Sequence, residues 1–204
     1  MRGRGGDDPA AALRDLLVDT AERLLAERQV AALTTREIAR AAGVSDGVLY
    51  NYFSDKNELI VTAMVRRYGR MVARFDAELP APGSGTVEDN LLIFERRVLE
   101  LHMTGLPIVA GLLPTPDLLQ RFVEGVHSQP EGPQLFAHRI IEYLQGEQEL
   151  GRLPAGDLEA PTTMLAGSAM ILALTSLMGM HPGDPAEQLP GVVRTLLYGL
   201  THQG

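Results

Sequence analysis

Leu33 to Leu59 reads LTTREIARAAGVSDGVLYNYFSDKNEL, a run that holds three helix starts and a glycine stop. Thr34 followed three residues later by Glu37 is a capping box, in which each side chain satisfies the other's free backbone N–H. Ile38, Ala41 and Ala42 turn one face of that helix inward. AGVS at 42–45 then breaks it. Gly43 can take the left-handed conformation that ends a helix, and Ser45 can cap the next one. Two short helices joined by a turn of about three residues have the geometry of a helix-turn-helix. Asp55 and Glu58 form a second, looser capping pair that opens a further helix, expected over about 55–79.

The second helix of the pair is SDGVLYNYF, Ser45 to Phe53. On a helical wheel with Leu49 inward, Phe53 and Ser45 fall beside it as anchors. Gly47 and Asn51 point almost directly away, Val48 and Tyr50 flank them, and Tyr52 lies at the margin. Such a face suits DNA. A recognition helix must bring its backbone close to base edges in the major groove, and Gly47 has no side chain to hold it off. Val48 can touch a thymine methyl, Asn51 can pair with adenine, and Tyr50 and Tyr52 can give hydroxyls to phosphates. Aromatic residues can equally be core, and Phe53 is read that way. A glycine inside a helix costs about 1 kcal/mol, and a plain core helix has no use for one here. Thr34 and Thr35 stand at a helix N-terminus that suits a phosphate, although capping alone accounts for Thr34.

This stretch resembles the DNA-binding signature of the TetR (tetracycline-repressor) family of bacterial regulators. The resemblance rests on Thr34–Thr35, Ile38–Ala39, Ala42 to Ser45, Gly47, Leu49–Tyr50, Tyr52–Phe53, Lys56 and Leu59. It implies base or phosphate contacts for Arg36 and a phosphate clamp at Lys56, the only lysine in the chain; an ordinary exposed charge is the alternative for Lys56. Two positions depart from the pattern. Gln29 stands where such proteins usually place Gly after the first helix. Asp46 stands where a basic or small residue is common, and there it can favour the helix N-terminus or accept from a cytosine amino group.

The rest of the chain reads as helix almost throughout. Asp8 can cap and Pro9 fits the first turn of a helix that fades near Arg28; its apolar face runs through Leu13, Leu16, Leu17, Ala21, Leu24 and Leu25. Helices are expected from Thr86 to about His102, Pro116 to His127, Gln134 to Glu149, Leu158 to Met180 and Pro185 to His202, with GLPIVAGLLPTP at 105–116 as an irregular patch. The fold class is all-α, with about nine to ten helices. Residues 8–56 form a three-helix DNA-binding domain and 57–204 a larger helical domain, the fourth helix connecting them. The resemblance implies that the larger domain binds a ligand and dimerises.

Composition narrows the function. The 204 residues carry a formal net charge of -8, with 45% hydrophobic residues and no Cys. A core is within reach, and disulfides and thiolate metal sites are excluded. Residues 1–56 hold eight basic and nine acidic side chains, so most of the acidity lies behind the helix-turn-helix. Arg2 and Arg4 are candidates for an arm in a DNA groove. No apolar run follows the N-terminal arginines, so a secretory signal is not expected and the chain is read as cytoplasmic. APTTMLAGSAMILALTSLMGM at 160–180 is the one stretch that approaches a membrane span; diluted by Pro161 and hydroxyls, it reads better as a helix buried on both faces. No phosphate loop, nucleophile elbow or HExxH motif is present, and the five His are scattered. Neither an enzyme, a metal site nor a cofactor is therefore expected.

The expected function is a homodimeric transcriptional repressor on a palindromic double-stranded DNA operator. A small, mainly apolar effector would release it. Two short recognition helices must reach successive major grooves about 34–36 Å apart, which requires a twofold dimer. The alternative is a small-molecule-binding protein of the same fold with weak or lost specific DNA binding. Candidate pocket residues are Phe94, His102, Met103, Phe122, Phe136, Tyr143, Met164 and Met170, each of which can instead be core. Candidate dimer-interface residues are Leu165, Ala169, Leu172, Ala173 and Ser176 on one face of the penultimate helix, with Val193, Leu196, Leu197 and Leu200 on the last. Pairing of the last two helices into a four-helix bundle is implied by the resemblance.

Overall fold

Local sequence sets the helix starts near Asp8, Thr34 and Asp55. Asp8 accepts from the N–H of Ala10 at 3.1 Å, with Pro9 in the first turn, and opens α1 (Pro9–Glu27). The Thr34–Glu37 box forms as expected and opens α2 (Thr35–Ala41). After α3 (Asp46–Leu49), α4 (Lys56–Ala77) starts where Asp55 accepts from the N–H of Glu58 at 2.7 Å and Glu58 accepts from Ser54 N–H and Oγ. Then come α5 (Val87–Leu112), α6 (Pro116–His127), α7 (Leu135–Glu149) and α8 (Glu159–Leu177). A 3-10 turn (Pro185–Gln188) leads into α9 (Leu189–Tyr198). This computed structural model describes residues 8–27, 33–129 and 135–199, and no strand occurs among them. The chain is all-α, as its periodicity predicts. Gln29, Leu200, Arg2 and Arg4 lie outside the described residues.

Two compact units divide the chain. One holds residues up to Gly69 together with Val109–Gln129, and the other holds Arg70–Ile108 together with the chain beyond 129. The division thus places α6 and the first part of α4 with the N-terminal helices, whereas the sequence assigns them to the larger domain. In the first unit Leu17, Val18, Ala21, Ile38, Ala39, Leu49, Phe53, Leu59 and Ile60 are buried. Of the apolar face expected for α1, Leu16 is exposed and Val18 takes its place. Arg66 on α4 pairs with Asp15 at 3.4 Å and with Asp19, which ties α4 to α1.

The second unit has two apolar clusters. Phe75, Val98, Leu99, Ala169, Leu172, Ala173 and Leu189 form one; Leu91, Phe94, Ile140, Tyr143, Leu144, Leu165 and Val193 form the other. Among the described residues of this unit two carboxyls are buried, Glu95 and Glu147. Glu147 is held by Arg152 at 3.1 Å and by the N–H of Gly83 at 3.1 Å.

Two expectations need correction. Residues 105–112 are helical: α5 continues through Gly105 and Pro107 to Leu112. Proline removes one backbone donor, and the surrounding turns hold the helix. The second correction concerns α8, which is not buried on both faces. Thr162, Leu165, Ala169, Leu172 and Ala173 point into the unit, while Met164, Met170, Ile171, Leu174 and Leu177 are exposed. Among the described residues α8 is the one helix long and apolar enough to cross a membrane by length and composition.

Candidate nucleic-acid interface

The helix-turn-helix is built as its punctuation dictates. α2 ends at Ala41, and Gly43 takes φ 74°, the left-handed conformation that favours glycine. Ser45 sits at the N-cap of α3 with extended backbone, but its side chain makes no capping bond and is exposed. It therefore holds the cap position without a side-chain bond, is not the buried anchor that the wheel suggests, and stays accessible as a candidate DNA contact. The recognition helix is shorter than Ser45 to Phe53. Four residues are α-helical, and the chain then tightens into a turn in which the N–H groups of Tyr52 and Phe53 both donate to Leu49 O at 3.1 Å. Leu49 and Phe53 are buried, and the Arg14 guanidinium of α1 lies 5.0 Å from the centre of the Phe53 ring. That contact fixes the base of the recognition element from behind.

What faces outward is Gly47, Tyr50 and Asn51, with Val48 and Tyr52 half-buried beside them. Tyr50 is 54% exposed. A Cβ added at Gly47 would meet nothing within 4 Å, so neither packing nor backbone strain in this chain asks for glycine there. On α2, Thr34 and Arg36 are exposed and Thr35 is half-buried. Arg40 is exposed four residues beyond Arg36 and so shares its helix face. It is absent from the expected set, although the i, i+4 spacing of the two arginines is legible in the sequence.

Charge on this surface is partly committed. Arg36 Nε donates to Asp46 Oδ2 at 3.4 Å, which links the first turns of α2 and α3. Asp46 therefore has a cationic partner on its own surface. Lys56 Nζ donates to the carbonyl of Leu33 at 3.0 Å, pinning the chain just before α2. It is half-buried, neither a plain exposed charge nor a group free of the fold; one of its three N–H donors is used in this way. At the start of α4 the N–H of Glu58 holds the Asp55 carboxyl below the usual carboxylate range, against some desolvation, with Arg121 beside it. Backbone and hydroxyl donation from Ser54 does the same for Glu58.

The candidate pocket residues do not converge. Phe94 and Tyr143 are in ring contact at 5.0 Å, and Phe136 packs edge-on against Phe75 at 4.9 Å. Met103 and Phe136 pack against the same apolar cluster, and the His102 ring bonds back to Val98 O. Phe122 is buried in the first unit. Met164 and Met170 project from the exposed face of α8, so they do not line an interior. A cleft of about 290 Å³ is lined by Leu79, Phe94, Tyr143 and the paired Asp76 and Arg139.

The candidate interface residues need a similar correction. Leu165, Ala169, Leu172, Ala173 and Val193 are buried in the chain's own core, because α8 turns its small-residue face inward. Ser176, Leu196 and Leu197 are half-buried. The face of α8 left for a partner is the opposite one, beside a groove of about 760 Å³ lined by Met164, Gly167, Ile171, Val192 and Thr195.

A family model described as "Bacterial regulatory proteins, tetR family" matches residues 17–63, the span from α1 into α4. Over 60 residues the chain is 45% identical to an uncharacterised HTH-type transcriptional regulator of Mycobacterium tuberculosis, covering 29% of each chain. Over 113 residues it is 34% identical to the HTH-type transcriptional regulator AlkX of the same species, covering 54% of this chain and 53% of that one. These matches thus span no more than about half the length of these curated relatives. The crystal structure of the regulator FadR from Bacillus subtilis, in complex with stearoyl-CoA, superimposes with a TM-score of 0.60 at 18% identity, over 91% of this chain and 98% of that one. The capped α2, the left-handed Gly43 and the outward face of α3 all lie within residues 17–63, the span that matches the tetR-family model, and the chain as a whole shares the all-helical fold of the FadR structure.

Proposed function

We propose that the protein is a sequence-specific, DNA-binding transcriptional repressor. It acts as a homodimer on a palindromic operator and is released by a small, mainly apolar effector. The observation that carries this reading is the outward face of α3, where glycine at position 47 serves no purpose inside the chain. A bare backbone between Val48, Tyr50 and Asn51 is what close approach to base edges needs. Thr34, Thr35 and Arg40 beside it, with the remaining donors of Lys56, supply phosphate contacts, and Arg36 reaches a base or a phosphate. The acidic balance of the chain, -8, lies mostly outside residues 1–56, so the reading head is close to neutral.

The effector assignment draws on the apolar clusters of the second unit and on the Bacillus subtilis relative solved with stearoyl-CoA. Acyl chains are the class to test first. Release requires the effector to prefer a conformation in which the two recognition helices no longer match successive grooves. α4 is a single helix from Lys56 to Ala77, and the resemblance makes it the element through which an effector would act. The experiment is a binding series between the purified protein and the DNA upstream of its own gene, at increasing salt, with and without long-chain acyl compounds. Salt-sensitive, saturable retardation of that DNA is expected, and an acyl compound reverses it. A dimer that retards no DNA at low salt overturns DNA binding and leaves a ligand-binding protein of the same fold.

A further inference from the structure

We infer that Asp46 is a positioning residue for base recognition: it holds the Arg36 guanidinium by Nε, so that the Nη1/Nη2 edge serves a guanine in the major groove. The inference rests on the proposed DNA-binding function and deepens it. The pair spans 3.4 Å and joins the first turn of α2 to the first turn of α3. Both side chains are accessible, Arg36 at 85% and Asp46 at 44%, so neither fills a core. An ion pair this exposed contributes little to stability; the helix N-terminus favours a carboxylate at 46 but does not account for its hold on Arg36 Nε.

Guanidinium chemistry supplies the explanation. The group is a planar fork of five donors. Guanine offers N7 and O6 side by side in the major groove, and arginine meets them with two parallel N–H donors. With Nε given to a carboxylate, the terminal nitrogens are the edge that still offers two parallel donors. The carboxylate also restricts the rotamers of a long side chain and neutralises the repulsion that a lone Asp46 would exert on phosphates. An untethered arginine can serve a phosphate as readily as a base, whereas one held through Nε is biased towards the base. Asp46 then shapes sequence preference through Arg36, without touching a base.

The test uses the full-length protein and four forms: wild type, Asp46→Asn, Arg36→Ala and the double variant. Sites are first selected from random duplex DNA, and affinities are then measured on duplexes changed at one half-site position at a time. Wild type is expected to select a guanine whose replacement weakens binding by roughly tenfold or more. Asp46→Asn keeps the thermal midpoint but loses most of that preference. In the Arg36→Ala background, Asp46→Asn changes nothing at that position. A uniform rise in affinity on Asp46→Asn with the guanine preference intact overturns the inference. So does a preference that survives Arg36→Ala and vanishes only with Asp46, because the carboxylate would then read a cytosine itself. Wild type that selects no duplex at all overturns the DNA-binding function, and the inference with it.

Discussion

At Gly47 folding and binding ask for different residues. Alanine is favoured over glycine in a helix by about 1 kcal/mol, and a Cβ at 47 meets nothing within 4 Å. Gly47→Ala is therefore expected to leave the thermal midpoint unchanged or slightly raised. Affinity for the operator should fall by roughly tenfold or more, because the methyl group stands where base edges approach. Thermal unfolding and DNA titration of one preparation check both halves; a loss of stability together with affinity would show that glycine serves the fold. Glu95 poses the converse case. It is fully buried, accepts from Ser168 Oγ at 2.8 Å, and burial pushes its pKa up to about 7. In the unfolded chain the carboxyl titrates near 4.5, so the folded state binds the proton more tightly. Stability therefore falls as pH rises from about 4.5 through about 7 and is flat above, by a total on the order of 3 kcal/mol. Glu95→Gln should remove that slope, and unfolding curves of both proteins between pH 5 and 8 measure it; parallel slopes would exclude the assignment. Glu95 was legible in part: it stands four residues from both Leu91 and Leu99, on the apolar stripe of α5. Its partner Ser168 was not, since 73 residues separate the two and no local rule joins them.

Between elements of the first unit, α6 meets α4 at Gly125 with no room for a side chain. A Cβ at Gly125 would lie 2.6 Å from Val65 Cγ2 and 3.8 Å from Val61 Cγ1. Valine is stiff at χ1, so it cannot swing away cheaply. Gly125→Ala is expected to destabilise the protein by about 1–3 kcal/mol. Val65→Ala in the same chain should recover most of that loss, a coupling that chemical denaturation of the two single variants and the double variant resolves. Additive losses would place the strain elsewhere. Elements with strong local punctuation were legible: the Asp8, Thr34 and Asp55 starts and the Gly43 stop are chemistry between near neighbours. Where punctuation misleads, tertiary context decides. Gly105 and Pro107 suggest an end to α5, yet the helix continues, with a Gly105 Cβ position only 3.8 Å from Met71 Cε. α8 failed for another reason. It has no charge after Glu159, so no polar face marks which side looks outward. The small residues Ala169 and Ala173 suit a partner helix and a core equally well, and here the core takes them.

For the molecule as a whole, the unresolved demand is the face of α8 that carries Met164, Ile171, Leu174 and Leu177 beside the α8–α9 groove. Exposed apolar surface of this continuity marks an interaction site, and a twofold partner is what operator binding requires. The dimer proposed above is therefore placed on this outward face, opposite to the Leu165–Ala169–Leu172–Ala173 side. The two faces make opposite predictions. Ile171 is 53% exposed, so Ile171→Asp should leave the subunit's core and helicity intact while making the chain monomeric in sedimentation. Leu172 is 7% exposed, so Leu172→Asp should unfold the subunit before it changes assembly. Loss of the dimer removes the gain from two linked half-sites, and operator affinity should fall by about 10²–10⁴-fold. Binding to an isolated half-site is left nearly as it was. An Ile171→Asp protein that stays dimeric and keeps full operator affinity would move the interface off this face. One that instead loses association with lipid vesicles would identify a membrane, which α8 is long and apolar enough to enter, as the surface that covers it.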